Sequence, residues 1–242
     1  TLGHDLDSVA RSLREGRDAF RDSGALEGLS VCPAEDWGQD EARQKFEGWR
    51  HRHYLNRGSQ MAVLSGLRAL RDAGLEAGLP VRSQIIAAVG PMLDVTGEPG
   101  LPPQDTATLG ALWLLRWLPN TAAGALARFA RCHGEALTVN AACASALQAL
   151  GEGWRRIRFG LADAVLVAAG DSRLSLGGLL GYHKARAHSL CAPGTGPRPF
   201  DMGRDGFVPG EGGAAFVLES LSSAQARGAH VHAELLGYAA SV

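Results

Sequence analysis

Among the residues able to do chemistry, Cys143 has the most suggestive setting. It lies in EALTVNAACASALQALGEGWRRIRFG, residues 135–160. The short apolar run Ala136-Leu137-Thr138-Val139 reads as a strand. Ala141 and Ala142 follow, then Cys143, then a segment in which Leu147, Leu150, Trp154 and Ile157 recur on one helical face. Arg155, Arg156 and Arg158 fall in the last turns and Gly160 stands where a cap belongs, all favourable at a helix C-terminus. Strand, small residues and helix in this order set Cys143 at a helix N-terminus. There the unpaired backbone N–H groups and the helix dipole favour a thiolate. The same N–H groups can hold an oxyanion when a thioester carbonyl is attacked. The commoner use of a cysteine is as a small buried hydrophobe, and local spacing alone does not decide between the two.

Other constellations carry less. His51-x-His53 and His230-x-His232 each offer two imidazoles to a metal, but no third ligand has suitable spacing. Cys132 and His133 are neighbours and point apart in most backbones. No GxSxG is present, which disfavours a serine hydrolase. The run from Arg204-Asp205-Gly206-Phe207 to Glu211-Gly212-Gly213 resembles a phosphate loop but does not open a helix after a strand. It reads as a structural loop with Asp205 and Glu211 bonded to backbone. Trp49-Arg50-His51-Arg52-His53-Tyr54 with Arg57 is a basic, aromatic cluster, either a solvated surface or a docking face for an acidic partner.

The elements that must position these residues belong to an α/β protein. The chain has 242 residues, 45% hydrophobic and 20% charged, with 32 glycines. A net charge of −1 gives no electrostatic case for binding nucleic acid, and no apolar run approaches a membrane span. The four cysteines, Cys32, Cys132, Cys143 and Cys191, form no CxxC and no disulfide framework, so free thiols in a reducing cytoplasm are expected. Periodicity predicts helices over 6–15 (Leu6, Val9 and Leu13 on one face), 57–78 (Met61, Leu64, Leu67 and Leu70, ended by Gly78-Leu79-Pro80), 108–131 broken at Pro119, 144–159 and 173–186. Strands are predicted over 85–90, 136–139, 163–169, 214–218 and 232–238, and loops over 91–107 and 189–212. Alternation of strand and helix argues for a mixed sheet.

Several segments then resemble the β-ketoacyl synthases. VNAACASALQAL looks like that family's nucleophile motif. LNRGSQMAVLSGLRALRDAGL (55–75), PNTAAGALARF (119–129), GLADAVLVAAGDSRL (160–174) and RPFDMGRDGFVPGEGGAAFVLESLSSAQARGAHVHAELLGYAAS (198–241) follow in the family's order. The last is closer to free-standing, fatty-acid-type synthases than to modular polyketide ones. The resemblance implies a thiolase-like layered α-β-α-β-α fold. Residues 1–242 would form its N-terminal half, one domain with a mixed five-stranded sheet flanked by helices. The half that carries two catalytic histidines lies outside this sequence. Residues 183–196 depart from the family pattern.

What the resemblance implies for function is a decarboxylative Claisen condensation on acyl carrier protein, in fatty-acid or polyketide chain elongation. Cys143 would take the acyl chain as a thioester, and its own N–H would form half of an oxyanion hole. Malonyl-loaded carrier protein would supply the second substrate. Ala142 and Tyr182 would line the substrate pocket, with Tyr182 at the family's aromatic gate; read by itself, Tyr182 is equally a core aromatic. Arg50, Arg52, Arg57 and Arg186 would dock the carrier. No cofactor or metal is implied. Strand 136–139 would pair with its copy across a twofold axis, in a homodimer or in a heterodimer with a related subunit, through Leu137 or Val139. Two alternatives stay open: a non-catalytic subunit such as a chain-length factor, which usually lacks the cysteine, and a cysteine enzyme that moves acyl groups without condensing them.

Overall fold

A capping box opens the first helix, α1 (Leu6–Arg14). The Asp5 carboxylate accepts from the Ser8 N–H at 2.7 Å, and the Ser8 hydroxyl answers the Asp5 backbone. The computed structural model describes residues 2–3, 5–91, 110–190 and 196–241. Cys191 and most of the loop expected over 91–107 lie outside them. The chain divides into two compact units. One comprises Thr1–Glu47, Met92–Trp113 and Ser172–Gly212, the other Gly48–Pro91, Leu114–Asp171 and Gly213–Val242.

In the first unit α1 precedes a short antiparallel pair, β1 (Arg21–Asp22) and β2 (Ser30–Val31). Helix α2 (Gln39–Phe46) follows, burying Ala42 and Phe46. The apolar face predicted for α1 is not covered here: Leu6 and Leu13 are exposed and only Ser12 is buried, so caps rather than packing define this helix.

The second unit holds the sheet. Helix α3 (Arg57–Asp72) starts from Asn56, whose side chain accepts from the Ser59 N–H at 2.8 Å. Met61, Ala62, Val63, Leu64 and Leu70 are buried along it. The helix stops earlier than its sequence predicts. Gly74 takes φ +69, and the Leu75 N–H bonds the Leu70 carbonyl at 2.7 Å while the Gly74 N–H bonds Arg71. These two bonds close the last turn before Gly78 is reached.

Strand β3 (Ser83–Val89) is buried through Ile85–Val89. A turn of 3-10 helix at Trp113–Arg116, Pro119 and then α4 (Thr121–Phe129) fill most of the span predicted as one interrupted helix. Strand β4 (Ala136–Thr138) pairs parallel with β3, Ile85 opposite Ala136. Helix α5 (Ser145–Arg158) and strand β5 (Ala164–Ser172) complete the crossover, and β5 pairs parallel with β3 from Ser83↔Ala164 to Val89↔Gly170. Its Ala164–Ala168 run is fully buried, as the unbroken apolar character of this inner strand requires. Helix α6 (Leu176–Lys184), in the first unit, then strand β6 (Glu211–Glu219) and helix α7 (Leu221–Ala226) follow along the chain.

The order across the sheet is β4-β3-β5-β6, four strands where the sequence predicts five. The missing one is 232–238. Among the described residues it joins no ladder; side chains hold it instead. His232 Nε2 lies 2.7 Å from the Asp72 carboxylate, and the Arg155 guanidinium sits 5.1 Å from the Tyr238 ring centroid. That ring packs so closely on Gly151 that a Cβ there would lie 2.3 Å from it. The segment's apolar pattern resembles a strand, but a strand also needs a partner edge.

Candidate functional site

Two ties fix the path from β4 to α5. At the far end, Arg156, its side chain only 12% exposed, reaches three residues: Glu152 Oε1 at 3.0 Å, Glu135 and Gln84. Glu135 precedes β4 and Gln84 lies in β3, so this guanidinium fastens the end of α5 to the start of the strands. Gly160, at φ +67, closes the helix as its sequence predicts, with the Leu161 N–H bonding the Arg156 carbonyl at 2.8 Å.

At the near end the chain turns through a single 3-10 turn, Ala142–Ala144, before α5 begins. Cys143 is the middle residue of that turn, and its thiol is exposed. Ala142 takes φ +49, the left-handed region, which costs an L-residue about 1–2 kcal/mol. The Ser145 hydroxyl sits inside the turn. It accepts from the Ala141 N–H at 2.7 Å and donates to the Ala142 carbonyl at 2.7 Å. The Ser145 backbone N–H bonds the same carbonyl, and the Ala144 N–H bonds Ala141 at 3.1 Å.

On the helix behind Cys143, Leu147 is 70% exposed, and Leu150 and Trp154 are half-buried. The face against the sheet is made of small residues, Ala149 and Gly153. Ala149 belongs to a buried cluster with Ile86, Ala88, Ala162, Val165 and Val167, which Ile157 borders. A Cβ on Gly153 would come within 2.9 Å of both Leu218 and Val167, so the small stripe is what lets α5 approach the strands closely.

The remaining predicted site residues are dispersed. Arg50 and Arg52 are exposed beside a 3-10 turn at Arg52–Tyr54, and Arg57 is the exposed first residue of α3. Arg50 Nε donates to His51 Nε2 at 3.1 Å. The interleaved aromatics form a stack: Trp49 meets Phe129 edge-on at 5.3 Å, and His51 and His53 flank Tyr54. The cluster is therefore built around packed rings, with the guanidiniums outermost. Cys143, Ala142, Arg50, Arg52 and Arg57 all belong to the second unit; Tyr182 and Arg186 belong to the first. Tyr182 is half-buried on α6, its ring edge-on to Phe207 at 5.0 Å. Arg186 is exposed just past that helix, at φ +53.

The first unit also anchors the loop before β6. Asp205 accepts from the Leu190 N–H at 3.0 Å and from Ser189 Oγ at 2.9 Å. Glu211 accepts from the Ala34 N–H at 3.0 Å and Ser172 Oγ at 2.6 Å. Both carboxylates are used structurally, as their sequence setting suggests. Burial pushes the Cys32 and Cys132 thiols up from their ordinary pKa. Among the described residues, no group of three His, Cys, Asp or Glu side chains is placed to hold a metal ion.

The sequence pattern does not single out Ser145, and it marks Arg156 only as a favourable charge at the helix C-terminus. A serine in a first helical turn usually points to an N-cap, and an arginine near a helix end to the dipole; here each bonds elsewhere. The arrangement presents an exposed cysteine on a braced turn at the entrance of a 14-residue helix, suited to attack on an electrophilic carbonyl.

Comparison with known proteins accords with that chemistry. Residues 1–224 match the family described as beta-ketoacyl synthase, N-terminal domain. The chain is similar to the tetracenomycin polyketide synthase ketoacyl synthase alpha subunit of Streptomyces glaucescens, 34% identical over 197 residues, covering 76% of this chain and 46% of that protein. It is 31% identical over 189 residues to 3-oxoacyl-[acyl-carrier-protein] synthase 2 of Vibrio cholerae, covering 75% and 46%. Among solved structures, the ishigamide ketosynthase/chain length factor superposes with a TM-score of 0.77 at 27% identity, covering 98% of this chain and 59% of that one. The chain thus spans about half the length of the curated relatives it matches. The structural match bears out the thiolase-like α/β architecture expected from the resemblance.

Proposed function

Because the chain belongs to the β-ketoacyl synthase family, whose N-terminal domain it matches over residues 1–224, we propose that it is the nucleophile-bearing domain of an enzyme that elongates acyl chains on acyl carrier protein. The observation that carries this reading is the exposed Cys143 thiol on the braced turn between β4 and α5. The Cys143 thiolate attacks the thioester of an acyl-loaded carrier, the tetrahedral oxyanion collapses, and the carrier's thiol leaves. Malonyl-loaded carrier then loses carbon dioxide. The carbanion formed attacks the Cys143 thioester, releasing the thiolate and leaving a β-ketoacyl chain on the carrier. The Cys143 N–H supplies half of the oxyanion hole. Decarboxylation depends on two histidines in the second half of the enzyme, in the same chain or in a partner, so residues 1–242 alone do not condense.

Arg50, Arg52, Arg57 and Arg186 steer the acidic carrier, and Ala142 and Tyr182 line the acyl path. Subunits pair along β4, whose position at the sheet edge leaves one side of the strand without a neighbour among the described residues. No cofactor takes part. No helix among the described residues is long and apolar enough to cross a membrane, and free cysteines at 32, 132 and 143 support a reducing, cytoplasmic setting. The similarity to the ishigamide ketosynthase/chain length factor keeps a chain-length-factor role in view; the cysteine at 143 favours the catalytic one.

The test is acyl loading. The assembled enzyme, incubated with radiolabelled acyl-carrier protein, should carry label on the peptide containing Cys143, and Cys143→Ser should lose it. Given malonyl-carrier protein, the loaded enzyme should release carbon dioxide and β-ketoacyl product. Loading without product would favour the acyl-transferring alternative. Absence of label from Cys143 would overturn the assignment.

A further inference from the structure

The Ser145 hydroxyl bonds the one peptide whose orientation governs the nucleophile's own N–H. The carbonyl of Ala142 and the N–H of Cys143 belong to the same planar peptide group. That carbonyl accepts two hydrogen bonds from Ser145, one from Oγ at 2.7 Å and one from the backbone N–H. Ser145 Oγ meanwhile accepts from the Ala141 N–H at 2.7 Å. The hydroxyl thus spans the two peptides on either side of the Ala141–Ala142 link. It does so where Ala142 sits at φ +49, a conformation that crowds Cβ against the following carbonyl and that an unbraced alanine leaves.

We propose that Ser145 is a positioning residue for acyl transfer. It locks the Ala142–Cys143 peptide so that the Cys143 N–H faces the developing oxyanion, and it polarises that N–H through the doubly bonded carbonyl. This inference rests on the acyl-transfer reading and adds to it a residue that never touches substrate. Its distinguishing consequence is that Ser145 matters only where an oxyanion forms. Attack of Cys143 on a thioester builds negative charge on the carbonyl oxygen. Alkylation by iodoacetamide is a direct displacement at carbon, expels iodide and builds none.

The experiment compares the two reactions in the assembled enzyme, following modification of Cys143 in wild type, Ser145→Ala and Ser145→Thr by mass spectrometry. The probes are iodoacetamide and butyryl and octanoyl thioesters of N-acetylcysteamine. In Ser145→Ala, acylation should slow about tenfold or more, short of the full loss expected on removing an oxyanion donor outright. Alkylation should stay within about twofold, since displacement at carbon calls on no oxyanion donor and the thiol itself is unchanged. Ser145→Thr, which keeps the hydroxyl, should recover most of the acylation rate. Equal slowing of both reactions would mean that Ser145 only maintains the turn or the fold, and would overturn the proposal; so would unchanged rates in both. If wild-type Cys143 is alkylated but accepts no acyl group from any thioester, the acyl-transfer reading itself fails, and this inference falls with it.

Discussion

Three thiols among the described residues show how far position separates chemically identical groups. Cys143 stands exposed on its turn, whereas Cys132 is buried, its Sγ 3.2 Å from the Ser83 carbonyl, and Cys32 is half-buried. Burial raises the pKa of both Cys32 and Cys132. Limited iodoacetamide treatment at neutral pH followed by peptide mapping should therefore label Cys143 first, with Cys32 and Cys132 reacting appreciably only as pH rises. Faster labelling of Cys32 would count against Cys143 as nucleophile. The same shifts set a sign for stability. A thiol that holds its proton more tightly in the folded chain stabilises the fold below the unfolded thiol's value of 9.0. That contribution is lost as pH climbs through the folded value, so a urea midpoint followed through alkaline pH should fall on this account. The placement of Cys143 between a strand and a helix was legible in the sequence, because an apolar run, small residues and a helical periodicity follow one another there. Ser145 was not, because its two bonds depend on the left-handed turn at Ala142, which no propensity predicts.

Between elements, close approach decides more than apolar bulk. Where α3 crosses β5, a Cβ on Gly170 would lie 2.4 Å from the Gly58 carbonyl oxygen and 2.7 Å from the Ala62 N. Both obstacles are backbone, so neither can rotate aside. Gly170→Ala should cost about 1–3 kcal/mol, read as a lower urea midpoint at unchanged slope; an unaltered midpoint would mean that the two elements sit farther apart. The same preference explains which elements could be read in advance. Strands β3 and β5 were legible as short apolar runs because both their faces are covered. The close approach of α5 to the strands was not, because Leu147, Leu150 and Trp154 outweigh Ala149 and Gly153 in any hydrophobic count, although the small residues are the ones that let the helix lie close. The segment at 232–238 has strand-like composition, but composition carries no information on whether a neighbouring edge is free.

Taken whole, the chain combines a nearly neutral charge, −1, with a local concentration of cations at Arg50, Arg52 and Arg57. If that cluster steers an acidic carrier, reversing the three charges should slow acyl loading from carrier protein about tenfold or more at low salt. Loading from a small thioester should change little, because steering acts on encounter rather than on bond making. Identical carrier kinetics before and after would leave the cluster as a packed aromatic stack with a solvated rim. The sheet has a further consequence, for biosynthesis. Strand β3 is central, flanked by β4 and β5, and both partners lie downstream in the chain. At about 5–20 residues per second, roughly eighty residues must be translated after β3 before its longer neighbour emerges, a delay on the order of ten seconds. Until β4 emerges, roughly fifty residues after β3, Ile85 and Ile86, wholly buried in the finished sheet, have no strand to lie against. The nascent chain thus exposes an unpaired apolar strand before its partners are made, and a pause in translation after β3 would lengthen the exposure.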